Sequence, residues 1–156
     1  TWKALIELRK QGKAKSIGVS NFREEDLKRI IDETGETPAL NQIELHPSFQ
    51  QREMRRVHEE LGIVTQSWSP LGQGNGMSND TIKGIAEETG QSASAVIIRW
   101  HIQHGFSVLP RSTNPDHIRD NFKALSFELS DDQMAKIDAL DRKDGRMGPE
   151  PGSFND

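Results

Sequence analysis

Apolar residues recur along this chain with two spacings, one helical and one strand-like, and the switches between them mark out a run of elements. Trp2, Leu5, Ile6 and Leu8 fit one helical face, and the run stops at Gln11-Gly12, where glycine can take the left-handed conformation that closes a helix. Ser16 to Ser20, apolar at alternate positions, predicts a short strand. Arg23 to Glu33 predicts the helix after it, with an acidic start and Leu27, Ile30 and Ile31 at helical spacing. The unit repeats as a strand over Pro38 to Leu45, a helix over Gln51 to Leu61 closed by Gly62, and a strand over Ile63 to Trp68. Pro70 to Ser78 is glycine-rich and reads as a loop. Helices over Asp80 to Thr89 and Ser92 to Gln103 follow, then a fourth strand over Phe106 to Leu109 and a short helix starting near Pro115. The last helix, Ser130 to Leu140, opens on Ser-Asp-Asp, whose oxygens can cap the free amides of a first turn.

Strands that alternate with helices form a parallel sheet, because each helix is the crossover that returns the chain to the same end. The predicted class is therefore α/β. In such a sheet, ligands bind at the carboxyl ends of the strands, where the loops gather and helix N-termini point their amides. The polar residues fall there. The first strand ends in Ser20-Asn21, the second carries Asn41, Gln42 and Glu44, the third ends in Ser67-Trp68-Ser69, and the fourth leads into Arg111-Ser112-Thr113-Asn114. That set can hydrogen-bond a carboxamide, stack on a flat ring and neutralise a phosphate.

Arg111 and the two hydroxyls precede a helix opened by Pro115-Asp116, which suits an anion. The same residues also fit a plain helix cap beside a solvated charge. Pro70 to Gly76 can wrap a pyrophosphate or merely connect two elements, and Trp68 can be a stacking platform or a core residue. His46, His58, His101 and His104 have no metal-ligand spacing and no acidic partner at a recognisable offset, so they read as structural or surface histidines and no metal is assigned.

Composition narrows the function classes. A net charge of -4, with basic residues scattered among acidic ones, argues against a nucleic-acid surface. With no cysteine, a disulfide framework and a thiolate metal site are excluded. No membrane span or leader is read in the sequence, and the cytoplasm is the expected location. There is no tyrosine, so no phenol of this chain can donate a proton.

Gly18-Val-Ser-Asn-Phe22, Asn41-Gln-Ile-Glu-Leu-His-Pro47, Trp68-Ser-Pro-Leu-Gly72 and Leu109-Pro-Arg-Ser112 with Asp120-Asn121 occur in the order and spacing of the aldo-keto reductases. The chain resembles that family throughout, most of all the bacterial diketo-gluconate reductases. The resemblance implies the C-terminal half, four strands, of a parallel (β/α)8 barrel of TIM type over residues 1–141, followed by a C-terminal tail over 142–156. It also implies an NADP(H)-dependent oxidoreductase acting on aldehydes, ketones or keto-sugars, with NAD(H) as a second candidate cofactor. By position, Ser20, Asn21 and Gln42 match the residues that hold the nicotinamide carboxamide, and Trp68 matches the aromatic packed on the ring. Ser69, Leu71 and Gln73 match the loop along the pyrophosphate. Arg111, Ser112, Thr113, His117, Asp120 and Asn121 match the pocket for the adenosine and its 2′-phosphate.

Two positions depart from the family. Arg111 replaces the usual lysine and keeps the charge in a planar fork suited to phosphate. His117 stands where arginine is common and carries less charge near neutral pH, so discrimination against NAD should be weaker. The family's catalytic Asp, Tyr, Lys and His come from the first half of the barrel. No catalytic residue is therefore expected among these 156 residues, and this fragment alone should not turn over substrate. A half barrel should expose two strand edges and a broad apolar inner face, and so seek the N-terminal half or a second copy as partner. A non-catalytic dinucleotide-binding or interaction module is the alternative. A phosphosugar isomerase or aldolase would share the phosphate site but gives no reason for the Ser-Asn, Gln and aromatic set. The tail from Met147 to Phe154 either lines the substrate pocket or is irregular.

Overall fold

In the computed structural model, which describes residues 1–153, four strands form one parallel sheet: β1 (Val19–Ser20), β2 (Leu40–Glu44), β3 (Val64–Trp68) and β4 (Ser107–Val108), in that order. The register of β1 on β2 pairs Val19 with Asn41 and Ser20 with Gln42. Seven α-helices occur among the described residues: α1 (Trp2–Lys10), α2 (Glu24–Thr34), α3 (Arg52–Leu61), α4 (Asp80–Thr89), α5 (Ala93–Gln103), α6 (Pro115–Phe122) and α7 (Asp131–Asp138). Each step from strand to strand passes through at least one helix, as a parallel sheet requires.

The chain divides into two compact units. The first holds Thr1–Ile43, Gln51–Gln66 and the segment from Pro149. Its apolar side chains pack as two clusters, Trp2, Ile6, Ile17 and Ile30 in one and Leu27, Val57 and Ile63 in the other, with Val19 and Phe22 touching both. Leu8 is 39% exposed and does not share the face of Trp2 and Ile6 that its spacing suggested. It lies too far round the helix from those two. Helix α1 closes at Gly12 and α3 at Gly62, both left-handed as expected.

The first strand is shorter than its pattern. Only Val19 and Ser20 pair as a ladder, while Ile17 contributes a single bond, accepting from the Ala39 amide at 2.9 Å. Gly18 is the reason the strands approach so closely, since a Cβ there would lie 2.8 Å from Leu40 Cγ and from the Leu40 carbonyl. The second strand begins at Leu40 rather than Pro38, whose ring has no N–H to give a ladder. The fourth is likewise trimmed to two residues.

The second unit holds Glu44–Gln50 and Ser67–Gly148. Ile82, Ile85, Ala95, Val96, Ile97, Trp100 and Ile137 are buried in it. Its helices start on the residue types the sequence offers. Asn79 accepts from the Thr81 amide at 2.9 Å, Ser92 from Ala95, and Ser130 and Gln133 cap each other's amides in a reciprocal box. The glycine-rich stretch holds two 3-10 turns, Gly72–Gly74 and Gly76–Ser78, in place of a structureless loop. The tail contains one further 3-10 turn, Pro151–Ser153, and Phe154 lies outside the described residues. Among the described residues, no helix is long and apolar enough to cross a membrane.

Candidate functional site

In the first unit, Ser20 and Asn21 at the end of β1 meet Gln42 in the middle of β2. The Ser20 hydroxyl and the Asn21 amide both donate to the Gln42 carbonyl, at 3.2 and 2.8 Å. Gln42 Nε2 donates to Gln66 Oε1 at 2.7 Å, which leaves Gln42 Oε1 to accept from a ligand. Ser20, Gln42 and Gln66 border a shallow depression of about 310 Å³ together with Ile17, Val19 and Leu40. Amides and hydroxyls thus sit beside apolar side chains along this depression.

A buried network beneath fixes this turn. Asn41, fully buried on β2, donates from Nδ2 to the Phe22 carbonyl at 2.8 Å and accepts the Phe22 amide at 3.3 Å. The same Nδ2 donates to His58 Nε2 at 3.0 Å, so His58 is neutral with its proton on Nδ1, which donates to Thr65 at 2.8 Å. Burial pushes the His58 pKa down to about 4. Asn41 thus grips the residue after Asn21 by both backbone groups, and Asn21 is held in the left-handed region at φ 57°.

In the second unit, Trp68 ends β3 half-buried, unlike the wholly buried Trp100. Ser69 follows it with φ 50°, and Gln73, exposed, also has φ 50°. Four non-glycine residues have left-handed backbone among those described, and Asn21, Ser69 and Gln73 are three of them. Such conformations cost about 1 to 3 kcal/mol each and collect at ligand sites. Leu71 is half-buried beside them, with its carbonyl close to Gly76, where a Cβ would lie 3.0 Å away.

After β4 the chain turns through Arg111, Ser112 and Thr113 into α6. The helix cap is Asn114, which accepts from the Asp116 amide at 2.9 Å, with Pro115 in the first turn. Ser112 accepts from the Asn114 amide at 3.1 Å and Thr113 caps nothing, so the reading of either hydroxyl as the helix cap does not hold. Arg111, Thr113 and His117 are exposed, and none of their side chains makes a hydrogen bond or ion pair among the described residues. Seven of the other ten arginines form ion pairs, and Arg52, Arg55 and Arg146 have interactions of their own. Asp120 is turned toward the start of α5, accepting from Ser92 and, at 3.0 Å, from Ser94, and it pairs with Lys123 at 2.9 Å. Burial alone would raise its pKa, but the hydrogen bonds from Ser92, Lys123 and Ser94 outweigh it and hold the carboxyl below the ordinary range. Asn121 is half-buried on the same helix.

Two histidines do have acidic partners, contrary to the sequence reading. His46 Nε2 donates to Glu44 at 3.2 Å, two residues back along the chain, and His104 Nε2 donates to Asp138 at 2.8 Å, thirty-four residues on. Burial lowers the pKa of His46 against the opposing pull of Glu44. His101 is fully buried between the Ile97 and Leu45 carbonyls. These two, with His58 and His101, are tied into the fold, and no group of ligating residues among those described could hold a metal ion.

The parallel sheet with helical crossovers and polar strand ends defines an α/β protein of the barrel class. The family model for the aldo/keto reductase family matches residues 1–142, and the chain belongs to that family. An aldo-keto reductase of Mycobacterium sp. (strain KMS) is 51% identical over 156 residues, which are 99% of this chain and 56% of that protein. Methylglyoxal reductase DkgA of Escherichia coli (strain K12) is 44% identical over 155 residues, 98% of this chain and 56% of that one. Among solved structures, an aspartate-to-alanine mutant of Gox0644 in complex with NADPH superposes with a TM-score of 0.96 at 52% identity, over 98% of this chain and 56% of its own. The chain spans about half the length of the relatives it matches.

Proposed function

We propose that these residues form the NADP(H)-binding part of a reductase that converts aldehydes, ketones or keto-sugars to alcohols. The guanidinium of Arg111, unpaired among the described residues just before α6, carries the reading. A cation with no partner among the described residues, beside two hydroxyls and a helix N-terminus, is suited to a phosphate dianion. With His117 and Asn121 on the same helix it fits the 2′-phosphate and adenosine end of the cofactor. Ser69, Leu71 and Gln73 are assigned to the pyrophosphate, and their unusual backbone fits a loop shaped around a ligand.

Trp68 is half-buried at a strand end, as a ring-stacking platform must be. Ser20, Asn21 and Gln42 supply one amide oxygen free to accept and two further polar side chains, a set able to hold a carboxamide. Asp120 would act from its present place by fixing the helix against Ser92 and Ser94. The cofactor, when bound, supplies a hydride. The chain's own residues bind and orient it, and the proton comes from outside residues 1–156, which contain no tyrosine. The chain alone is accordingly expected to bind NADPH without turnover. The methylglyoxal reductases among its relatives make a small 2-oxoaldehyde the first substrate to try with a longer protein.

Calorimetric titration of NADPH into the chain and into Arg111→Ala tests this reading. Loss of a charge-assisted phosphate contact should weaken binding about tenfold to a hundredfold. Equal affinity of the two proteins would refute the assignment.

A further inference from the structure

The C-terminal segment is fastened along residues Glu44–Gln50 by contacts that neither the sequence pattern nor the cofactor assignment uses. Gln50, fully buried, donates from Nε2 to the Pro47 and Ile137 carbonyls at 2.8 and 3.0 Å, and its amide donates to Asp141 Oδ1 at 2.9 Å. The Arg142 amide then donates to the Ser48 carbonyl at 3.2 Å. Gly145 lies so close to that carbonyl that any Cβ would overlap it. The Arg146 guanidinium sits 4.7 Å from the centre of the Phe49 ring.

The last fastening is a buried charge. Glu44, 1% exposed at the end of β2, accepts the Met147 amide on Oε1 at 2.7 Å and the Gly148 amide on Oε2 at 2.9 Å, while His46 donates to Oε1 at 3.2 Å. A carboxylate this deep is retained where every lone pair has work, since an uncompensated one is strongly destabilising. Its grip puts the Gly148 backbone against the indole of Trp68. A Cβ at Gly148 would lie 2.6 Å from Trp68 Cη2 and 3.0 Å from Glu44 Oε2, so only hydrogen fits between carboxylate and ring.

We propose that Glu44 is a positioning residue for Trp68: its carboxylate holds the Met147–Gly148 peptide against the edge of the indole and thereby sets the angle the ring presents to a flat ligand. The ligand half of this inference rests on Trp68 being the nicotinamide platform. The clamp itself does not. Glutamine in place of Glu44 keeps the shape but offers one acceptor oxygen, and its NH2 faces an amide donor. Alanine at Gly148 keeps the Glu44 side chain but crowds both the ring and the carboxylate, the ring more closely.

Amide hydrogen exchange and the indole N–H resonances of the 156-residue chain read both. Glu44→Gln should lower the protection of the Met147 and Gly148 amides at least tenfold and shift the Trp68 indole signal, with Ile97 and the Trp100 indole unmoved. Gly148→Ala should shift the Trp68 indole signal with the Trp100 indole unmoved, which serves as the independent check if Glu44→Gln does not fold. Unchanged protection of both amides in Glu44→Gln, or a Trp68 signal unmoved in Gly148→Ala, would overturn the clamp. With ligand, Glu44→Gln should weaken NADPH several-fold and leave 2′,5′-ADP, which has no nicotinamide, unchanged. Equal weakening of both would overturn the positioning role. If the wild-type chain shows the clamp and binds 2′,5′-ADP but gains nothing from the nicotinamide end of NADPH, the assignment of Trp68 falls and the clamp stands.

Discussion

Acid should loosen the turn that carries Asn21, and the cause lies one layer beneath it. His58 Nε2 accepts from Asn41 Nδ2. Asn41 cannot turn its amide over to offer an oxygen instead, because its two ends already hold the Phe22 amide and carbonyl. Protonating His58 therefore sets two donors face to face in a buried site. Its pKa stands at about 4 against 6.5 for the free side chain. A histidine with a lowered folded pKa contributes its full stability above the unfolded value, and that contribution is lost as pH falls from 6.5 toward 4. The linkage gives a loss of about 2 kcal/mol at pH 5 and about 3 kcal/mol at pH 4 from this one ring. Urea unfolding of the wild-type chain and of His58→Gln between pH 7.5 and 4.5 measures it. The variant should be less stable at pH 7.5 but should lose less on acidification. A His58 ring that titrates near 6.5 by NMR, or a variant with the same acid slope as wild type, would refute the reasoning.

Other perturbations follow from the same contacts. Gly18→Ala should destabilise the chain by about 1 to 3 kcal/mol in thermal or urea melts, because its Cβ meets Leu40 backbone as well as side chain and the strand pair cannot part without breaking the ladder. Asn114→Ala removes the cap of α6 and should cost about 1 kcal/mol by the same assay, with a larger effect on 2′,5′-ADP affinity than on the rest of the fold. His117→Arg adds a second permanent charge beside Arg111 and should raise the preference for NADPH over NADH by about tenfold in paired titrations. An unchanged ratio would remove His117 from the 2′-phosphate pocket.

The alternation of helix and strand was legible because apolar spacing and local capping chemistry agree at nearly every junction: Gly12 and Gly62 close helices, and Ser92 and Ser130 open them. Strand ends were less legible, since their extent depends on the partner strand. Ser16 to Gly18 has the pattern of a ladder but only one ladder bond to make. The candidate ligand residues could be picked out from position at strand ends, and Arg111 from charge. Sequence could not show that Arg111 lacks a partner among the described residues or that the cap is Asn114, because both depend on where side chains turn.

Glu44, Asn41 and Gly148 were missed as determinants. Asn41 and Glu44 read as members of the ligand-facing set at the strand ends, yet both are buried, with backbone partners 103 to 104 residues away for Glu44 and partners 17 to 19 away for Asn41. The glycines of the tail suggested irregular chain. In the fold, Gly145 and Gly148 mark backbone drawn tight against Ser48 and Trp68, a demand for small volume that composition alone cannot separate from flexibility.

Binding of 2′,5′-ADP to the isotopically labelled chain, followed residue by residue, tests most directly whether α6 begins at a site for the phosphorylated adenosine of NADP. Resonance shifts should centre on Arg111, Ser112, Thr113, His117 and Asn121, and should vanish in Arg111→Ala. Shifts scattered over other surfaces, or saturation binding that survives Arg111→Ala unaltered, would contradict the account.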